Sequence, residues 1–213
     1  KKVAALYPKT EFRAASLRMA ADVYADDLKD TQTATAMYNE VLKRYPDSVE
    51  VGVVYKHLGI MEENNKHFDN AIAYYNKAIE HLAGQPAAYG AMQGKADVYA
   101  KMKDYQSAYT MLLQTAETFK ADESKYVATM LKAANVADRR LKDRSQKSVT
   151  LEKILLAYPQ NQRAPEIMFE LGYCYEKQGK NPQAAAMYKK LIISNPTDAY
   201  AGKAQSRLDR LEK

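Results

Sequence analysis

About every 36 to 40 residues the chain returns to the same punctuation, a proline that closes one helical run before two further runs with small residues at fixed places. The prolines are Pro8, Pro46, Pro86, Pro159 and Pro196, with one beat missing near Lys120. Self-similarity at this period belongs to units that cannot cover their own apolar faces and must stack on neighbours to do so. It favours an open, repetitive architecture over an enclosed active site.

Between the prolines, apolar residues recur at spacings of three and four, the period of an amphipathic helix. One such stripe is Leu17, Ala20, Ala21 and Tyr24; the clearest pair is Met168, Leu171, Gly172 and Tyr175, then Ala184, Met187, Tyr188 and Leu191. Helices are expected over 10–27, 31–45, 48–64, 68–83, 86–102, 104–119, 122–141, 145–158, 163–178, 181–194 and 198–212. Asp47-Ser48, Asp69, Asp104, Asn181-Pro182 and Thr197-Asp198 stand where caps belong. Connections of two to six residues force neighbouring helices antiparallel. No β-alternation longer than four residues interrupts the pattern, and the expected class is all-α.

Composition narrows the chemistry. Seventeen Tyr against four Phe and no Trp suits a thin two-layer structure, in which a ring packs while its hydroxyl reaches the rim. The net charge of +6 is a mild surplus of 32 bases over 26 acids, interspersed along the chain. The single cysteine, Cys174, excludes an internal disulfide and reads as a small buried filler. His57, His67 and His81 lack the spacing of a metal-binding helix, and there is no Gly-rich phosphate loop or nucleophile elbow. No catalytic residue, metal or cofactor is expected, and no small-molecule substrate. No apolar run approaches the ~18 residues that span a bilayer. Residues 1–8 read as the tail of a preceding repeat, so that the chain begins inside a longer protein.

Read in pairs, the runs resemble the tetratricopeptide repeat. In residues 165–196, Met168, Leu171, Gly172, Tyr175, Ala184, Tyr188, Leu191 and Pro196 fall on that family's eight marked positions. Looser copies cover 14–46, 52–86, which has Glu62 at the Tyr position, and 89–120, which has Lys95 at the Leu position. The copy over 127–159 is degenerate. The resemblance implies a right-handed α-solenoid of stacked antiparallel hairpins: a single domain over 1–213 with repeats at 9–46, 47–85, 86–121, 122–159 and 160–196 and a capping helix at 197–213. Tyr45-Pro46-Asp47-Ser48, Tyr158-Pro159-Gln160-Asn161, Asn195-Pro196-Thr197-Asp198 and the ending AYAGKAQSRLDRLEK also look like bacterial cell-envelope members of the family. That likeness implies a periplasmic or envelope address and a place in a membrane-associated complex, with a cytoplasmic one still open.

The family lines its concave face with the first helix of each pair. Carried over by phase, that face holds Arg18, Lys56, Gln93 and Asp97, then Asn135 and Arg139, then Phe169, Tyr173 and Lys177. A mixed-charge groove with a few rings suits an extended peptide or partner helix. Phe169 and Tyr173, one turn apart, are candidate anchors; the plainer alternative is that helix 198–212 folds over them. The stretch from Arg139 to Lys147, five bases with one acid, could meet phosphate or an acidic partner, but it has no aromatic neighbours in sequence for base stacking. The expected function is a non-catalytic scaffold for protein partners. Its rivals are the regulatory or oligomerising arm of a larger machine and a nucleic-acid-binding solenoid.

Overall fold

The computed structural model describes residues 9–212. The tail read at residues 1–8 and Lys213, the last residue of the capping segment, lie outside the described residues. Those described form eleven α-helices and no strand: α1 Lys9–Asp26, α2 Thr31–Arg44, α3 Glu50–Asn64, α4 Phe68–His81, α5 Ala88–Lys101, α6 Tyr105–Thr118, α7 Glu123–Val136, α8 Arg144–Ala157, α9 Ala164–Lys177, α10 Asn181–Ser194 and α11 Ala199–Leu211. The all-α helical-repeat class expected from the periodicity is the class observed. The chain divides into two compact units, Lys1–Asp104 and Tyr105–Lys213. The division falls inside the segment 86–121, between its two helices.

In the first unit α1 packs on α2, α3 on α4, and α4 on α5, while the first helices α1, α3 and α5 also touch in succession. In the second, each helix from α6 to α11 packs on the next, and α9 reaches α11 as well. α11 takes the place of a further first helix. It buries Ala201, Ala204 and Leu208 and leaves Lys203, Gln205, Asp209 and Arg210 in water, so that one face packs and the other stays polar.

The hairpins close around one small-residue contact. In the last, a Cβ on Gly172 would stand 2.5 Å from Cε1 of Tyr188, so only glycine lets the fully buried ring lie against α9. Tyr75 is held on two sides: a Cβ at Gly59 of α3 or Gly94 of α5 would stand 2.9 or 2.5 Å from its ring. Ala34, Ala71, Ala108 and Ala184 are fully or almost fully buried at the matching slot of the second helices. The fourth hairpin departs from this pattern, carrying Lys147 where the others have alanine.

A second beat marks the turn after each first helix. Lys29, Lys66, Lys103, Lys142 and Gly179 all take positive φ, between 57° and 74°. The next amide then returns to the helix: His67 to the Glu62 carbonyl, Asp104 to Tyr99 and Lys180 to Tyr175, each at 2.9 Å. This is a helix-terminating turn that satisfies carbonyls otherwise left orphaned. Asp30 and Asp143 reach one residue further back, to Tyr24 at 2.8 Å and Ala137 at 2.9 Å, so these two repeats hold an extra residue. In the fourth repeat it is taken up as a π-helical turn over Ala137–Leu141. The continuous helix expected over 122–141 is therefore corrected: α-helical bonding stops at Val136, because the inserted residue shifts the register.

Caps also differ in detail. Asp198 caps α11 as expected, accepting from the Tyr200 amide at 2.8 Å. Asn181, expected as an N-cap, is instead the first residue of α10 with Lys180 at the cap, and Asp69 lies inside the first turn of α4 behind His67. Asp30, Asp122 and Asp143 cap α2, α7 and α8 with bonds of 2.9 to 3.0 Å.

Gly172→Leu overpacks the last hairpin and should lower unfolding free energy by ~1–3 kcal/mol in urea titration; unchanged stability would place the helix contact elsewhere. Lys103→Gly removes a left-handed side chain and should raise stability by up to ~1 kcal/mol, whereas Gly179→Ala should lower it by a similar amount. The same sign for both changes would contradict the turn geometry.

Candidate functional site

The buried tyrosines do more than pack. Tyr75 donates to Glu63 at 2.5 Å, and the other oxygen of Glu63 accepts from Lys101 of α5 at 2.8 Å. Tyr188 donates to Glu176 at 3.1 Å, and Glu176 accepts from Arg207 of α11 at 2.9 Å. Tyr38 donates to Asp22 at 2.7 Å, with His57 Nδ1 of α3 at 2.9 Å from the same carboxylate. Each set joins a second helix, its own first helix and the next first helix through one carboxylate. Burial first, then the acid partner, pushes the phenols of Tyr38 and Tyr75 far above their ordinary range, so both remain donors at neutral pH. Asp22, Glu63 and Glu176 are thus engaged within the fold.

His57 makes the first set unlike the others. Burial, opposed by attraction to Asp22, pulls its pKa below the ordinary 6.5. The unfolded chain then holds a proton that the folded chain does not, between that lower value and ~6.5. Stability should accordingly fall as pH drops through this window.

In the first unit, Arg18 bonds Glu50 at 2.6 Å and also Asp22, so it is engaged within the fold. Lys56 is half-buried, without a hydrogen bond or ion pair among the described residues, and burial lowers its pKa against the pull of Asp22. Gln93 and Asp97 lie half-buried on α5, with Asp97 close enough to help raise the Tyr75 phenol.

In the second unit, a cleft of about 690 Å³ opens between α7 with its π-turn, α8 and α9. It brings together Asn135, Arg139 and Tyr173 from the sequence reading. Lys147 enters from the exceptional slot on α8 and bridges Asp138 at 3.1 Å and Glu170 at 2.8 Å. Burial alone would depress its pKa; the bonds to Glu170 and Asp138 outweigh burial and raise it. Glu170 occupies on α9 a place corresponding to that of Arg207 on α11, so two acids meet here where the last repeat has an acid and a base. A lysine from the second helix resolves the conflict and takes the place of the tyrosine set.

Phe169 and Lys177 do not line this cleft. The Phe169 ring is half-buried, 5.9 Å from Tyr188 and 5.6 Å from Tyr200 of α11. Tyr173 is bracketed by Lys177 at 5.4 Å and Arg207 at 4.8 Å from its ring centroid. The last helix thus covers Phe169 and leaves one side of Tyr173 toward the cleft. Within the basic stretch Lys147 is neutralised, Asp143 caps α8, and Arg140 lies 5.5 Å above the Tyr105 ring, an aromatic neighbour that only tertiary structure supplies. Burial pushes the Cys174 thiol up to about 11, so little thiolate exists at neutral pH. No helix among the described residues is long and apolar enough to cross a membrane.

Residues 14–48 and 166–198 match one tetratricopeptide-repeat model, and residues 53–80 match a second. The chain carries tetratricopeptide repeats over these segments. The matched segments include the tyrosine–carboxylate sets; the third and fourth repeats carry Leu112 and Leu151 in place of the ring. No curated protein sequence matches the chain. Among solved structures it is similar to the C-terminal part of a tetratricopeptide-repeat protein from Cytophaga hutchinsonii, with a TM-score of 0.59 at 17% identity over 90% of this chain and 72% of that one. It is also similar to BtubC from P. vanneervenii, with a TM-score of 0.58 at 15% identity over 98% and 86%. PilF of Pseudomonas aeruginosa follows at 0.54 and 16% over 95% and 93%. At these identities the likeness shows the fold.

His57→Gln should flatten the dependence of melting temperature on pH in the window just below ~6.5. An unchanged slope would assign the acid sensitivity to other groups.

Proposed function

We propose that this tetratricopeptide-repeat protein is a non-catalytic scaffold that takes up an extended segment of a partner protein, with the second-unit cleft as its principal site. The observation that carries this reading is the convergence of Asn135, Arg139 and Tyr173 on one cleft, from helices otherwise committed to packing. Asn135 offers a donor and an acceptor, as a peptide unit does, and Tyr173 offers a ring already fixed by Arg207 and Lys177. A surface stiffened by packed hairpins loses little entropy when it binds. The reading extends to a bacterial cell-envelope complex, supported by the likeness of the Tyr-Pro and Asn-Pro turns and of the C-terminal ending to envelope members of the family.

Asn135→Ala combined with Tyr173→Ala should leave helical circular dichroism intact and reduce partner capture in crosslinking pull-downs by ~10-fold or more. Full capture by the double variant would remove this cleft as the binding site.

A further inference from the structure

The charges around the cleft are unequally spent. Lys147 is held by Asp138 and Glu170, and Arg163 by Glu166 at 2.8 Å. All three acids of the cleft lining are therefore already paired. Arg139 is exposed on the opposite wall and makes no hydrogen bond or ion pair among the described residues; Asn135, one turn before it, is likewise exposed and unbonded. Asp138, within the π-turn, faces Lys147, while Arg139 beside it remains in solvent. A fold that neutralises each acid and leaves a guanidinium open presents a net positive wall.

We propose that the cleft selects an acidic peptide segment, with a partner carboxylate on Arg139 and the adjoining main chain on Asn135. This rests on the peptide-scaffold reading and adds the chemistry of the partner. The planar fork of Arg139 matches a carboxylate in two-point contact, while the acids on the α9 wall, already paired with Lys147 and Arg163, attract a basic segment only weakly. Desolvation inside a cleft of this size strengthens such a contact relative to the open surface. A nucleic-acid strand is the less favoured anion, because the cleft wall offers one free guanidinium and not a track of bases.

The test is selection of 12-residue peptides displayed on phage by the full chain at 50 mM salt. The expected result is enrichment of Asp and Glu, with affinity for synthetic copies of the selected peptides falling ~10-fold for Arg139→Glu, less for Arg139→Lys, and falling again as salt is raised to 300 mM. Selected peptides without acidic enrichment, or binding indifferent to Arg139→Glu, would overturn this proposal and leave the scaffold reading standing. Failure to select any peptide would overturn both. Circular dichroism of each variant separates lost contact from lost fold.

Discussion

The rest of the structure depends on a tyrosine ring set into a slot that only a small residue can line. Tyr75 between Gly59 and Gly94, and Tyr188 against Gly172, bring helices close enough that a phenol reaches the carboxylate of the neighbouring helix. That carboxylate then takes a cation from the next first helix, Lys101 or Arg207. Packing within a hairpin and adhesion between hairpins are thus one coupled contact. A buried hydroxyl left without an acceptor would cost more than the bond contributes, which makes the arrangement specific as well as stabilising.

The cleft forms where this device is absent. Leu151 replaces the tyrosine, Lys147 replaces the alanine, and Glu170 stands where a base would continue the pattern. A long side chain in a tight slot has to leave the interface, and its ammonium emerges between two carboxylates that would otherwise repel. An inserted residue, taken up as a π-turn, ends the first helix of the same repeat. The part of the repeat array least like its family is therefore the part with open space and unspent charge.

Much of this was legible as periodicity. The eleven helices fall within a few residues of the expected ranges because their stripes, prolines and short connections agree. The degenerate repeat was hard to phase by its prolines, yet Lys29-Asp30, Lys66-His67, Lys103-Asp104 and Lys142-Asp143 mark the same turn in consecutive repeats. That beat passes through the missing proline near Lys120, and Asp30, Asp122 and Asp143 were readable as caps. Phase also selected Asn135, Arg139 and Tyr173 correctly as residues of first helices or their ends. It could not tell that Arg18 is consumed by Glu50 and Asp22, or that Phe169 is covered by Tyr200.

By itself the amino-acid order determined an all-α chain of repeating hairpins, because helical period and turn chemistry are local properties and repetition multiplies their signal. Tertiary structure alone decided which charges remain free. Pairing depends on residues far apart in sequence, 31 positions for Glu176 with Arg207 and 23 for Lys147 with Glu170, whose encounter is set by how one hairpin rests on the next. No local pattern encodes that encounter, and Arg139 stands open only because its neighbours have already chosen their partners.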